Sequence, residues 1–371
     1  KSNRWGCGMV RIFGWSVGVT VAVLAAALWL GGPEVLIIVA ILGILEISLS
    51  FDNAVVNATV LERMSPWWQK IFLTVGIVIA VFGMRLVFPL AIVAVTAGLG
   101  PVEVIDLAIN DPDTYAAELT AAHPAIASFG GMFLLMIFLD FMLEDREIRW
   151  IAVIERPLAR VAGVEALSVV VALCALVASA TWLAGDDSST VMIAGALGLI
   201  TYLIVNGLAL FFEGGADEDD DSLAGIAGPA SAADGAVATG KAAFFLFMYL
   251  ELLDASFSFD GVIGAFAITS NIFVIAAGLG IGAMYIRSLT VFLVRRGTLA
   301  EYVFLEHGAH YAIGALAALL LFSIRYEIPE VVTGLIGIGF ILLAFVSSLL
   351  RNRRRSSGAS PTDDSLVERS I

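Results

Sequence analysis

The chain has 371 residues, of which 60% are hydrophobic and 15% are charged. A soluble domain carries roughly a quarter of charged residues, so this composition excludes an ordinary water-soluble globule. The two cysteines, Cys7 and Cys174, are too few and too far apart for a disulfide framework or a thiolate metal site. We therefore expect an all-α protein embedded in a lipid bilayer, and its net charge of −14 needs an explanation within that setting.

Ten apolar segments, each about 18 to 30 residues long, are predicted to cross the bilayer. The first follows a basic stretch but has no small-residue cleavage site after it, so we interpret it as a retained span rather than a signal peptide. In chain order the predicted spans are 12–31, 34–60, 68–97, 126–143, 164–184, 190–212, 241–269, 271–294, 306–323 and 329–350.

The positive residues orient these spans, because loops rich in lysine and arginine stay on the cytoplasmic side. With ten spans and a cytoplasmic N-terminus, nearly all of the 20 lysines and arginines fall on that side. Arg325 alone falls on the other side, and Arg85 and Arg287 lie within spans. We expect a bacterial inner-membrane protein with both termini in the cytoplasm, whose basic tail at 351–355 contacts anionic lipid rather than nucleic acid.

An acidic inner loop at 213–240 interrupts the chain, with an unbroken acidic run at 217–221 before a stretch rich in glycine, alanine and serine. Low complexity and like-charge repulsion predict a flexible linker there. We expect a five-helix unit at 1–185, a second five-helix unit at 186–350 that includes the linker, and a disordered basic tail at 351–371.

One short pattern, acid-x-Ser-x-Ser-Phe-Asp, occurs twice, from Glu46 to Asp52 and from Asp254 to Asp260. The two copies lie on spans two and seven, which cross the membrane in opposite directions. This arrangement predicts two inverted five-helix repeats with discontinuous helices two and seven. Each leading acid lies roughly 18–20 Å into its span, so we expect Glu46 and Asp254 to approach each other near the midplane.

Serines mark where each of these helices is expected to break, because hydroxyl groups can bond backbone groups that a break sets free. Glu46 and Asp52 point about 120° apart on a regular helix, so one shared site requires the helix to unwind between them. The serines concerned are Ser48 and Ser50 in the first copy and Ser256 and Ser258 in the second.

Carboxylates within a membrane are costly, and by default they mark functional sites. Hard oxygen ligands suit Mn²⁺, Mg²⁺ or Ca²⁺. Closely spaced carboxylates repel each other and can also bind a proton, which would then be either the cargo or the coupling ion. The structural alternative is that each acid pairs with an intramembrane arginine. The predicted ligands are Glu46, Asp52, Asn53, Asp254 and Asp260, with Glu251 as a further acid and with Arg85 and Arg287 balancing charge.

His307 and His310 form a weaker candidate for metal binding at the inner end of span nine. They are three residues apart and share a helix face. Their position at the membrane edge favours a structural or interfacial role over ligation.

The motif Leu49-Ser-Phe-Asp-Asn-Ala54 after Glu46, together with Phe257-Ser-Phe-Asp260 after Asp254, resembles the TerC family of integral membrane proteins. The stretches Ser270-Asn-Ile-Phe273, Arg287-Ser-Leu and Tyr326-Glu-Ile-Pro329 extend the resemblance over roughly 35–95 and 245–350. It implies a relative of the lysine-exporter-like transporters, associated with tellurium resistance and manganese export. It also implies that the family's intramembrane acids and their polar companion match Glu46, Asp52, Asp254, Asp260 and Asn53. Gly261, where the first copy has Asn53, departs from the pattern.

We therefore expect a secondary transporter rather than an enzyme. Its cargo would be a divalent metal ion, with manganese preferred over calcium or magnesium and efflux as the direction. The alternative is a membrane scaffold for metal-stress, tellurite-stress or secretion partners, in which the acids are locked in structural pairs. The sequence leaves the oligomeric state open.

Overall fold

The computed structural model describes residues 3–144, 148–159, 166–214, 237–266, 268–297 and 301–358. These residues form helices joined by short turns, with one isolated β-bridge between Met64 and Ala238. Seven of the helical segments are long and apolar enough to cross a membrane. This is the architecture of an all-α integral membrane protein, as the sequence predicts.

Helices lie along each of the ten predicted segments within the described residues, with extra short helices between them. A π-helix at Ile79–Val87 joins α4 to α5, and a 3₁₀ turn at Gly185–Asp187 precedes α11. In chain order the α-helices are α1 (Asn3–Leu49), α2 (Phe51–Leu61), α3 (Pro66–Phe72), α4 (Val75–Val78), α5 (Phe88–Thr96), α6 (Pro101–Asn110), α7 (Pro112–Ala121), α8 (His123–Leu143), α9 (Ala152–Ala159), α10 (Leu167–Trp182), α11 (Ser188–Gly214), α12 (Gly240–Phe266), α13 (Ile272–Arg296), α14 (Leu305–Ser323) and α15 (Glu330–Gly358).

Helix α1 bends back on itself at Gly32, whose φ of 75° and ψ of −170° lie outside the helical range. Ser16, before the bend, contacts Ser288 of α13 with 2.9 Å between the two hydroxyl oxygens. Glu46, after the bend, lies against Gly282 on the same part of α13. Ser16 and Glu46 are about equally far from Gly32 along the chain, and both contact the same stretch of α13. The parts of α1 before and after the bend therefore lie antiparallel, and each corresponds to one predicted span.

Two clusters of buried apolar side chains hold the bundle together. The larger cluster is built mainly from α2, α8, α11, the first half of α12 and α14. The smaller one joins α5, α6 and α7 to the end of α12 and the start of α13. The polar middle of α12, which carries the second copy of the repeated motif, lies between the two clusters.

Helix α12 runs without interruption from Gly240 to Phe266, so the predicted break in span seven is wrong. The Ser256 hydroxyl donates to the Leu252 carbonyl at 2.9 Å, a bond within the helix that frees no backbone group. A break that the sequence did not predict lies in span three, where Leu73 and Thr74 separate α3 from α4.

The other predicted boundaries are partly covered by the structure. Helix α15 continues to Gly358, so the start of the predicted tail, at 351–358, is helical rather than disordered. The segment 98–125, which lies between the predicted spans three and four, contains α6 and α7. Most of the predicted linker, residues 215–236, and the last part of the tail lie outside the described residues. The inverted repeat of ten spans stays a prediction.

Candidate metal site at a helix break

The predicted break in span two is found at Ser50, which separates α1 from α2 with φ of −95° and ψ of 16°. The interruption brings Glu46 and Asp52 onto the wall of the same small cavity, as a shared site requires. The cavity volume is about 40 Å³. A space of that size admits roughly two water molecules or one ion that has lost most of its water.

Both copies of the repeated motif contribute to this cavity, together with the helices that pack over the break. Three of the five predicted ligands, Glu46, Asp52 and Asn53, line this cavity. The lining residues are Glu46, Leu49, Ser50, Asp52 and Asn53 from the first copy, Phe257 and Gly261 from the second, Leu316 from α14, and Thr333 and Gly334 from α15.

Glu46 is 2% exposed and is held by two neighbours. Its Oε1 accepts a hydrogen bond from the Ser50 hydroxyl at 3.0 Å and another from Nη2 of Arg85. Arg85 belongs to the π-helix, where its Nη1 also donates to the Ala80 carbonyl at 2.6 Å. Arg85 therefore balances the charge of Glu46, and π-helical turns of this kind are frequent at functional sites.

Two glycines leave room for the Glu46 side chain. A Cβ atom at Gly282 of α13 would lie 2.3 Å from Cγ of Glu46, and one at Gly261 of α12 would lie 3.2 Å from its Oε2. Gly261 holds the position in the second copy that Asn53 holds in the first. This departure from the repeated pattern therefore lets α12 approach the acid of the other copy.

Asp52 is 6% exposed and lies on the first turn of α2. Its Oδ1 accepts the backbone N–H of Asn53 at 3.1 Å. Its Oδ2 faces Gly337 of α15, where a Cβ atom would come within 2.1 Å. Within the described ranges no basic side chain forms an ion pair with Asp52, so its charge is left to be balanced by something else.

Asp254 shares an arginine with Glu251 instead of meeting Glu46. Arg287 donates two hydrogen bonds of 2.8 Å to Glu251 and a third of 3.0 Å to Asp254. Glu46 touches α12 at Gly261, which is two turns, or about 10 Å, beyond Asp254. The predicted approach of Glu46 and Asp254 is therefore wrong, because each acid faces its own arginine.

The remaining serines differ between the two copies. Ser48, like Ser256, donates to the carbonyl four residues earlier in its own helix. Ser258 stands where Ser50 stands in the first copy, yet its buried hydroxyl bonds none of the described groups. The side chain of Asp260 lies outside the described residues.

Histidine, cysteine, aspartate and glutamate side chains form no group of three or more that could hold a metal ion in the part of the chain that the structure describes. Any ion at this cavity would therefore depend on amide, hydroxyl or backbone oxygens besides the two carboxylates. Metal binding by the predicted ligands stays a prediction.

The histidine pair is engaged elsewhere. Nε2 of His307 lies 2.9 Å from the Ile148 carbonyl oxygen. Nδ1 of His310 lies 2.8 Å from the Glu306 carbonyl oxygen, and its ring stacks on Phe141 with 3.7 Å between centroids. These contacts support the structural role that the sequence favoured for both residues.

Sequence reasoning missed several residues that contact the acids of the cavity or lie on the helices that form it. Asn57 is fully buried on α2, and both atoms of its amide lack a hydrogen-bond partner among the described residues. It follows Asn53 by one helical turn, a polar spacing that is visible in the sequence. Gly282, Gly337 and Thr333 gave no such signal, because their roles depend on helices that are distant in the chain.

Comparison with known proteins adds a family but no activity. The family described as "Protein of unknown function (DUF475)" matches residues 51–355. That region contains Asp52, Asn53 and the whole second copy of the motif, whereas Glu46 precedes it. No curated protein and no solved structure matches the chain.

Proposed function

Since this chain belongs to the family described as "Protein of unknown function (DUF475)", whose description names no activity, we propose a function from the geometry of its site. The protein is a secondary transporter that exports a divalent metal ion, manganese by preference, in exchange for protons. Glu46, Asp52 and Asn53 bind the ion at the break between α1 and α2.

Asp52 carries this proposal. It is a buried carboxylate in a membrane-spanning bundle, and no basic side chain of the described residues pairs with it. A charge left unbalanced in hydrocarbon costs several kcal/mol, so a guest ion or proton is needed to offset it. The adjoining cavity gives that guest space and hard oxygen atoms from Glu46, Ser50 and Asn53.

Charge counting supports an exchange between metal and protons. Glu46 and Arg85 cancel while they are paired, so Asp52 sets the net charge of the cavity at about one negative unit. One proton on Asp52 balances that state. A divalent ion that displaces this proton is bound by the carboxylates of Asp52 and Glu46, while the positive charge of Arg85 remains beside the cavity. Metal and proton therefore compete for Asp52, which an exchange between them requires.

The remaining features of the proposal come from the sequence. The paired motif resembles the TerC family, which favours manganese as the cargo. Two inverted five-helix repeats would give access to the site from each side of the membrane in turn. The distribution of lysine and arginine favours an orientation with both termini inside, and the membrane we propose is the bacterial inner membrane.

The test is ion flux through the purified protein in liposomes that contain a metal-sensitive dye. Mn²⁺, Ca²⁺, Mg²⁺ and Zn²⁺ are compared with and without a pH gradient, and Mn²⁺ flux that follows the gradient is expected. Asp52→Asn removes the charge without changing the shape, and it should lower the initial rate by about tenfold or more. The matched control is Asp113→Asn on α7, which removes an exposed carboxylate outside the cavity and should leave the rate unchanged. Failure of folded wild-type protein to move any of the four ions would refute the transporter.

A membrane scaffold is the second candidate, and the arginine pairs of Glu46, Glu251 and Asp254 favour it. In a scaffold these acids hold helices together for metal-stress, tellurite-stress or secretion partners. Glu46→Gln separates the two functions. A transporter loses Mn²⁺ flux and keeps its assembly size, whereas a scaffold shows no flux to lose and changes its assembly size.

A further inference from the structure

A second and much larger cavity, which we call the vestibule, has a volume of about 930 Å³. It lies at the end of the bundle where α7 finishes, α8 begins and α14 turns into α15. His123, Arg325 and Glu327 are among its lining residues. In the orientation predicted from the positive residues, this end is the outer one.

Thr333, on the first turn of α15, lines both the vestibule and the small cavity. Its neighbour Gly334 allows α15 to lie directly on the helix break, because a Cβ atom there would come within 2.6 Å of Cδ2 of Leu49. The hydroxyls of Thr96 and Thr120 donate to the carbonyl four residues earlier in their helices. The Thr333 hydroxyl makes no hydrogen bond to the described residues, so it is available to a guest.

The two volumes differ in what they can hold. The vestibule admits an ion together with its hydration shell, whereas a cavity of about 40 Å³ admits roughly two water-sized guests. An ion that passes between them must exchange most of its water for protein oxygens at the boundary. Thr333 is at that boundary and presents a hard oxygen of the type that Mn²⁺, Mg²⁺ and Ca²⁺ accept.

We propose that a hydrated divalent cation passes between the small cavity and the vestibule, and that the Thr333 hydroxyl replaces one of its water ligands on the way. This inference rests on the proposed transport function. It specifies the side of the bundle to which the small cavity opens. It also assigns a role to Thr333, a residue that does not belong to the repeated motif.

The first experiment measures Mn²⁺ flux in the liposome assay. Thr333→Val keeps the shape but removes the hydroxyl, and it should lower the initial rate by about tenfold. Thr333→Ser retains the hydroxyl and should restore the rate to within about twofold of the wild type. A Thr333→Val rate equal to the wild-type rate would overturn the role of Thr333 and leave the transport function standing. Absence of Mn²⁺ flux through the wild-type protein would instead refute the proposed transport function itself.

The second experiment needs no transport. Cys7 and Cys174 are replaced by serine, and single cysteines are then exposed to a membrane-impermeant thiol reagent from each side in turn. Thr333→Cys should react from the vestibule side, and Mn²⁺ should slow that reaction. Glu327→Cys at the mouth of the vestibule is the positive control, and Leu342→Cys on the exposed apolar face of α15 is the negative control. Reaction of Thr333→Cys from the opposite side alone, or no reaction while Glu327→Cys reacts, would overturn the proposed route.

Discussion

Replacing Arg287 with glutamine is expected to lower the free energy of unfolding by about 3–5 kcal/mol. Arg287 is 1% exposed and makes two hydrogen bonds of 2.8 Å to Glu251 and one of 3.0 Å to Asp254. Its guanidinium also lies 4.3 Å from the centroid of the Phe72 ring. Glutamine cannot supply the positive charge, so two carboxylates would remain buried without a cation.

A double variant tests whether the loss comes from those carboxylates. Glu251→Gln added to Arg287→Gln leaves one uncompensated acid, Asp254, instead of two. The coupling between residues in one ion-pair network is on the order of 0.5–3 kcal/mol, so the double variant should recover stability by about that amount. The same change in the wild-type background should be destabilising, because it removes one of the partners of Arg287.

The measurement is thermal and denaturant unfolding of the purified protein in detergent, followed by far-ultraviolet circular dichroism. Arg295→Gln is the matched control, since Arg295 lies on the same helix but is exposed. An Arg287→Gln midpoint within the range of that control would contradict the structural role of the arginine. A double variant less stable than Arg287→Gln would show that the buried carboxylates are not the source of the loss.

Two glycine substitutions probe the cavity walls, with Gly339→Ala as the control because a Cβ atom at that position meets nothing within 4 Å. Gly282→Ala should destabilise the fold by about 1–3 kcal/mol and lower Mn²⁺ flux, since the added methyl would lie 2.3 Å from Cγ of Glu46 and must displace it. Gly337→Ala should lower flux more than stability, because the methyl would take the place of Oδ2 of Asp52, an atom at the end of a rotatable side chain. Unfolding midpoints and initial flux rates of the three variants check both expectations, and flux in Gly337→Ala equal to that of Gly339→Ala would count against a role for Asp52.

The repeated motif predicted a break in span two, which the structure places at Ser50. Asp52 follows Glu46 by six residues, and on a regular helix that spacing would point the two acids about 120° apart. The same serine spacing in the second copy produced no break. Asp254 is one methylene shorter than Glu46 and pairs with Arg287, and the Ser258 hydroxyl bonds none of the described groups.

Other parts of the site depend on contacts between helices that are far apart in the chain. Gly282 faces Glu46, and Gly337 faces Asp52, but neither glycine differs in sequence context from others in apolar spans. Arg85, which pairs with Glu46, lies on the π-helical turn, and no residue pattern in the sequence predicted that turn. A single sequence therefore revealed the acids and the break, while the choice of partners required the packed structure.

The interruption at Ser50 also has an electrostatic consequence. The backbone carbonyls in the last turn of α1 and the N–H groups in the first turn of α2 lack partners within their own helices, and both helix ends lie beside the cavity. The amide end of α2, where Asp52 lies on the first turn, stabilises a negative carboxylate by about 0.3–1 kcal/mol. The carbonyl end of α1 favours a cation by a similar amount. One residue of irregular backbone thus brings two helix ends of opposite partial charge to the same small space, so that a fixed negative charge and a mobile positive one are favoured side by side.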